Sequence, residues 1–510
     1  MSRFNLIDEK WIPVCFRDGR REELGIRDVL LHADEIAGIE DGSPLVVASL
    51  YRFLLAVLYR ALEGPTDIDE AKDLFNNGFP AEKITAYLEK WSDRFWLFHE
   101  EHPFGQVPSF EPTNWRMWSA IAIEHNADNA KIVFDHVSTL GDSRIDDSSA
   151  ARWLLASLTF SVSSGKSEIA HTKDAPSTGA MMVIPIGKSM RETLASMLVP
   201  ETKDVVEGDL PIWERKLETV ASLRKMAPRG ITGFADRYSW LSRAIRFKDD
   251  GMPGVSRLGF ASGVNCDVGS HRDPMLAYKT HDKFGLLPVQ FHGRGVWRNF
   301  DSLLPGGDEE RGTPAVIQHA IRLSGHNVAR LPTGIIVLGL SNTKAKIDFW
   351  RMERFALPTA LASHPDVRAD IRSFLDAAEQ TQNVLLATCR AYAGDLISRG
   401  NGRPDQKDVS AFISQMPCLP RYWSMLEGRF QETLQSFTCE ADPFRVEMTW
   451  ISSVHKALID AWECHKSSID GGDAWSIRAL VKSERKIFEE GIKLKRRILE
   501  LEEYLRKEES

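Results

Sequence analysis

A switch in residue periodicity near Leu357-Pro358 constrains this chain most. Downstream of it, Val367, Ile371, Phe374, Leu375, Ala378, Leu385, Cys389, Tyr392 and Leu396 recur mostly at three- and four-residue steps, the spacing of one buried helical stripe. Arg399-Gly400-Asn401-Gly402 supplies a stop. Further helical patterns run about Leu419 to Phe437, about Pro443 to His465, and Trp475 to Lys507, divided by Asp442-Pro443 and Gly471-Gly472. Four long amphipathic helices with short connections suit an antiparallel arrangement, so residues 358–510 are predicted as a C-terminal four-helix bundle. Upstream, short apolar runs such as Met181 to Ile186 and Gly334 to Leu338 alternate with Gly- and Pro-bearing loops, and Pro44 to Leu62 reads as an apolar core helix. Residues 1–357 are therefore expected to form a large mixed α/β N-terminal domain, and the fold class to be α+β. A length of 510 residues independently asks for two or more cores.

Composition narrows the classes further. Hydrophobic residues at 43% and charged residues at 27% describe a globular chain. The formal net charge of -8 excludes a polybasic coat, although a local basic stripe on an acidic protein can still meet nucleic acid. The opening MSRFNLIDEKWIPV lacks a basic-then-apolar signal pattern, and no run of eighteen uncharged apolar residues occurs, so a cytoplasmic location with no membrane contact is expected. Cys15, Cys266, Cys389, Cys418, Cys439 and Cys464 lie far apart without a C-x-x-C, which reads as reduced core thiols and no metal site.

Motifs for chemistry fail on spacing. Gly165-Lys166-Ser167 and Gly187-Lys188-Ser189 resemble the tail of a phosphate-binding loop, but the positions where its first glycine belongs are Phe160 and Met182. His99 and His102 are three residues apart with Pro103 following, whereas a zinc-binding H-E-x-x-H needs a separation of four on one helix face. Neither a G-x-S-x-G elbow nor a G-x-G-x-x-G is present. No catalytic residue and no cofactor are assigned.

What remains is cationic. Arg237 to Arg246 and His292 to Arg298 mix arginine with tryptophan and glycine, a composition that suits phosphate contact with stacking and equally a buried Trp with surface Arg. Along the final helix, residues 478–497 hold eight cations and three anions, among them Lys493, Lys495, Arg496 and Arg497. This basic stripe is either a solvated face or a phosphate-facing one.

Several segments, taken in order, carry a resemblance. They are Phe4-Asn5-Leu6-Ile7-Asp8-Glu9-Lys10-Trp11-Ile12-Pro13-Val14, then Asp93 to His99 with His102-Pro103-Phe104, Val133-Phe134-Asp135-His136, and Ser149 to Ala156. Leu210-Pro211-Ile212-Trp213-Glu214, Pro228-Arg229-Gly230 leading to Trp240 through Arg246, and Lys344 to Ile347 with Trp350-Arg351-Met352-Glu353 complete the series. Together they resemble the CasA family, the large subunit of the type I-E CRISPR surveillance complex, Cascade. The resemblance implies a non-enzymatic subunit that reads the protospacer-adjacent motif in duplex DNA, helps open it for R-loop formation, and presents it to a recruited helicase-nuclease. The implied partners are guide RNA (crRNA), other Cascade subunits, target double-stranded DNA and that helicase-nuclease.

The same resemblance assigns residues. Phe134, with Asp135 and His136, corresponds to the aromatic that touches the guide's 5' end and a neighbouring subunit. Ser164, Gly165 and Lys166 correspond to a glycine loop that brings backbone close to DNA, here with one glycine only. Asn342, Thr343, Lys344, Ala345 and Lys346 correspond to a wedge hairpin, with Lys344 standing where the family carries glutamine. A lysine can wedge and neutralise phosphate but reads base edges less selectively than an amide. The alternative class is a metal-dependent nuclease or phosphohydrolase using Asp135, His136, Asp146 and Asp147.

Overall fold

A computed structural model of the chain describes residues 2–125, 143–163, 168–169, 173–225, 227–267, 271–293, 295–305, 312–343, 346–364, 366–399, 402–469 and 473–508. The chain separates into two compact units: residues 1–293 with 311–355, and residues 294–310 with 356–510. The architecture is α+β, with a mixed first unit and a helical second one.

Helix α1, Pro44–Leu62, is the core of the first unit. Pro44 occupies its first turn, Ser43 Oγ caps the Val46 amide, and every residue but Pro44 and Arg60 is buried. Length and composition alone would let α1 cross a membrane, yet its apolar surface is spent inside the protein. Phe53 from this helix lies 5.7 Å from both Trp11 and Trp213 and 5.6 Å from Phe104, ring centre to ring centre. Phe95 stacks on Phe104 at 5.5 Å. Residues of three separated motifs thus form one aromatic core, which accounts for those motifs as packing rather than chemistry.

Around α1 lie several small, mostly antiparallel sheets. In one of them β1 (Met182–Ile186) pairs with β2 (Gly334–Thr343), and β2 pairs with β3 (Lys346–Phe355), all antiparallel. β2 buries every residue from Ile335 through Leu340, on both of its faces, and leaves Thr343 exposed. A Cβ on Gly339 would lie 2.7 Å from the Ala180 carbonyl oxygen, so only glycine allows this approach. Helix α2, Asp147–Phe160, packs against α1.

Among the described residues, the second unit has four long helices: α3 (Val367–Ser398), α5 (Cys418–Ser436), α6 (Pro443–Ser467) and α7 (Ala474–Glu508). A short helix, α4 (Gln406–Gln415), intervenes, which periodicity missed because Val409 alone among its residues is buried. α3 packs against α5, α6 and α7, and α6 against α5 and α7. Trp450 Nε1 donates to the Phe374 carbonyl at 2.6 Å and the Tyr422 hydroxyl to that of Ala378 at 2.9 Å, which fixes the helices' axial register. A single continuous N-terminal domain over 1–357 does not describe the chain: residues 294–310 join the helical unit, because Trp297 and Phe300 pack on Phe430 at 5.2 and 5.5 Å. All six cysteines are free, and Cys266, Cys389 and Cys418 are buried.

One ionisable group sits at the start of α1. Glu124 is buried and accepts a hydrogen bond from Ser43 Oγ. Burial pushes its carboxyl up to about 7, with Asp41 adding to the rise and the Ser43 bond opposing it. A folded-state value above the unfolded one makes stability greatest below the unfolded pKa, and stability declines as pH rises through the window up to about 7. Glu124→Gln is expected to flatten that decline and to raise unfolding free energy at pH 8 by on the order of 2 kcal/mol, measured by urea titration across pH.

Candidate nucleic-acid interface

The β2–β3 hairpin is the most distinctive polar projection at a sequence-assigned site. Its ladder runs from Ile335 opposite Phe355 to Thr343 opposite Lys346, with a register shift between Ser341 and Asn342. Such a shift adds local twist and re-aims the residues beyond it. Thr343 Oγ1 donates to Asp348 Oδ2 at 2.8 Å, bracing the strand end, and Thr343 and Lys346 are exposed. Lys344 and Ala345 lie outside the described residues.

The hairpin's flank is built from aromatics and a cation. Phe349 lies 5.8 Å from Phe291, and the Arg351 guanidinium sits 5.5 and 5.6 Å from those two ring centres. Arg351 Nε is also 2.6 Å from Glu353 Oε1. Beside Asn342 the chain narrows to Gly179, whose φ of +74° favours glycine. A Cβ there would sit 3.0 Å from Gln290 Oε1 and 3.1 Å from Asn342 Oδ1. Two side-chain amides therefore converge over the buried backbone of Gly179, an arrangement sequence reading did not identify because the three residues are far apart in the chain.

Other assigned positions fare differently. Phe134, Asp135, His136, Ser164, Gly165 and Lys166 lie outside the described residues. Their flanks are visible, and one side chain dominates them. Arg243, only 2% exposed, donates to the carbonyls of Ser161 at 2.8 Å and of Val162 and Lys173 at 3.0 Å. Burial lowers its pKa to about 10, with Asp174 opposing. Arg243 thus clamps both ends of the segment that contains Gly165. Reading the Arg237 to Arg246 stretch as phosphate-contacting is corrected accordingly for Arg237 and Arg243: both are buried, and Trp240 Nε1 donates to the Val264 carbonyl. The His292 to Arg298 stretch is corrected likewise at its end. Trp297 is buried, while Arg298 stacks 3.7 Å from the Trp423 ring centre and pairs with Glu379 at 2.5 Å.

Of the carboxylates in the alternative reading, Asp146 and Asp147 are committed to backbone amides, and Asp135 lies outside the described residues. Asp146 caps α2, accepting from the Ser149 amide at 2.7 Å and from Ser148 Oγ at 2.6 Å; burial opposes ionisation, but these bonds prevail and lower its pKa. Asp147 accepts from the Gly254 amide at 3.1 Å and lies 3.6 Å from Arg3. Among the described residues no cluster of His, Cys, Asp and Glu is arranged to hold a metal. His99 Nδ1 instead accepts the Glu101 and His102 amides, and Ser189 caps the helix Met190–Met197.

On α7 the basic stripe is partly neutralised. Arg497 reaches Glu447 at 2.7 Å and Lys493 reaches Glu490 at 3.5 Å, whereas Lys495 and Arg496 are exposed with no ion-pair partner among the described residues. Alongside runs an apolar stripe absent from the sequence reading: Ile477, Val481, Phe488, Ile492 and Leu499 are between 43% and 67% exposed. Large contiguous apolar exposure marks an interaction surface.

A family model described as CRISPR-associated protein Cse1 matches residues 5–463. The chain belongs to the Cse1 (CasA) family. A CRISPR-associated protein CasA/Cse1 from Thermus thermophilus is 33% identical over 501 residues, 95% of this chain and 96% of that protein. The solved structure of Thermus thermophilus CasA (Cse1) superposes with a TM-score of 0.84 at 30% identity, covering 97% of this chain and all of that one. A chain of a CRISPR RNA-guided surveillance complex shares the fold, with a TM-score of 0.75 at 19% identity over 96% of this chain and 100% of that one. Membership agrees with the resemblance read from the ordered motifs.

Arg243→Met, which keeps bulk but removes the donors, is expected to cost about 3 kcal/mol. It should also speed amide hydrogen exchange around Ser161 and Lys173. Arg243→Lys should restore only part of the protection, since a single ammonium cannot reproduce the guanidinium fork.

Proposed function

We propose that this Cse1 family member is a non-catalytic subunit of an RNA-guided surveillance complex, working in the cytoplasm with guide RNA and the other Cascade subunits. It reads the protospacer-adjacent motif in target double-stranded DNA, helps open the duplex for R-loop formation, and presents the opened DNA to a helicase-nuclease. The observation that carries this reading is the β2–β3 hairpin, held by a buried sheet at one end and polar at the other, with Asn342 and Gln290 converging beside it at the buried backbone of Gly179.

The physical logic is delegated recognition. Guide pairing supplies sequence specificity, and the protein needs only to read a few base pairs and drive a wedge that offsets local unstacking. Lys344 is the wedge side chain in this reading, Thr343, Ala345 and Lys346 support it, and Ser164, Gly165 and Lys166 meet the backbone next to it. Phe134, with Asp135 and His136, anchors the guide end and a neighbouring subunit. The apolar stripe on α7 suits docking of a further subunit, and the net acidic charge suits basic neighbours. Asp146 and Asp147 are already bound within the protein, which weighs against the hydrolase alternative.

Lys344→Ala in the assembled complex is expected to weaken capture of motif-bearing duplex roughly tenfold while sparing binding to pre-opened DNA, measured by titration of both substrates. Equal loss on both would reduce Lys344 to a phosphate contact. Reversing Lys495 and Arg496 to glutamate together is expected to lower R-loop stability and its salt dependence. If lifetimes at low and high salt are unaltered, that face is only solvated.

A further inference from the structure

A second hairpin of the first unit stands beside the β2–β3 hairpin. Its strands, Tyr278–His281 and Gly285–Pro288, pair antiparallel with each other and with no third strand among the described residues. The root is fixed. The Tyr278 amide donates to the Gly312 carbonyl at 2.7 Å, the Val289 amide to that of Ala277 at 2.8 Å, and the Tyr278 hydroxyl accepts the Asp273 amide at 2.7 Å. The chain leaving the hairpin runs beside the residues that lead into β1: the Met181 amide donates to the Val289 carbonyl and the Phe291 amide to that of Gly179, both at 2.9 Å. β2 pairs along the opposite edge of the same segment, and Phe291 packs on Phe349 of β3 at 5.8 Å. Five residues separate Phe284 from Val289 and Thr343 from Leu338, so each hairpin tip reaches up to about 17 Å beyond that shared segment.

Seven successive residues, Lys279 through Gly285, are exposed. The turn between the strands is nonetheless braced. The Phe284 amide donates to the His281 carbonyl at 3.2 Å, the Lys283 amide donates to His281 Nδ1 at 3.2 Å, and Gly285 takes the φ of +71° that closes a turn of this kind. Phe284 at the apex is 70% exposed, more than any other large apolar side chain among the described residues, with the His281 ring 5.0 Å away. Lys279 and Lys283 have no ion-pair partner among the described residues, and against Asp282 they leave one positive charge on an acidic chain.

A phenyl ring held in water forfeits the gain of burial, which an occupant would restore. One ring set among Lys279, Thr280, His281, Asp282 and Lys283 makes a poor protein interface, which needs on the order of 800 Å² from each partner and little charge at its centre. Stacking on a nucleobase needs one ring face, with cations for the adjoining phosphates.

We propose that this hairpin holds single-stranded DNA: Phe284 stacks on one unpaired base of the strand displaced beside the β2–β3 hairpin, and Lys279 and Lys283 meet the flanking phosphates. The assignment rests on the reading that the assembled complex opens target duplex. Every base offers a ring face, so the hairpin selects unpaired DNA and not a sequence.

The test uses the assembled complex with two targets, a motif-bearing duplex and the complementary target strand alone. Phe284→Ala is expected to shorten the lifetime of the complex on the duplex roughly tenfold and to leave the lifetime on the lone target strand unchanged. Phe284→Trp, which keeps a ring, should restore the lifetime. A photoreactive benzoyl-phenylalanine placed at position 284 should cross-link to the displaced strand. Cross-links confined to guide RNA, to the target strand or to another subunit would overturn the proposal. So would a parent complex that opens the duplex while Phe284→Ala matches it, which leaves the proposed function standing. A parent complex that fails to open motif-bearing duplex overturns that function and this assignment together.

Discussion

A helix with no polar face has to be surrounded, and the first unit is what surrounds α1. Its burial draws in Trp11 from the N-terminal strand region, Phe95 and Phe104 from the following irregular stretch, and Trp213 from much later in the chain. Fully burying one such aromatic is worth about 2 to 3 kcal/mol, so the cluster outweighs any single surface interaction described above. Among the described residues the sheets have two or three strands each, and such small sheets gain stability by packing against a core of this kind. The β2–β3 hairpin inherits its rigidity from that arrangement: β2 is buried along most of its length, and Gly339 lets the neighbouring backbone come close enough to lock it.

Charge inside the first unit serves position rather than recognition. Arg243 supplies donors to four carbonyls, Asp209 accepts the Ala235 and Asp236 amides, and Arg60 holds Glu214 through two bonds of 2.9 Å. Each satisfies backbone or side-chain groups that a loop-rich fold cannot satisfy by ladders. Burial raises the Asp209 carboxyl to about 6, opposed by the two amides it accepts from. A loop-rich domain of this kind holds its irregular segments with buried ions where a regular one would use strands.

The sequence made the large divisions legible and hid the local ones. Helical periodicity after Leu357 survives because each long helix buries one stripe, and the stops at Arg399 and Asp442 coincide with a left-handed residue and a capping carboxylate. α4 was invisible for the opposite reason, since a helix with a single buried side chain has no stripe to read. The allegiance of residues 294–310 could not be read either: Trp297 and Phe300 declare only that they are buried, not against which partners. Arg237 and Arg243 look in sequence like surface cations beside aromatics. What distinguishes them is the carbonyls and carboxylate that fold around them, and those lie tens of residues away. At the candidate interface, the ordered motifs identified the family, whereas the convergence of Gly179, Gln290 and Asn342 depends on a β-ladder that no local pattern encodes.

The exposed residues of α7 carry a geometric consequence. Ile477, Phe488 and Leu499 are spaced eleven residues apart, as are Val481 and Ile492. Eleven residues make about three turns, so the ridge they form runs almost parallel to the helix axis and drifts slightly in the right-handed sense. From Ile477 to Leu499 it extends about 33 Å. A surface of that length and straightness is a rail rather than a socket: it fixes the direction of whatever lies along it while leaving the axial position to be set elsewhere. Inserting one residue between Val481 and Phe488 would turn the far half of the rail about 100° away from the near half, severing it without removing a single apolar side chain.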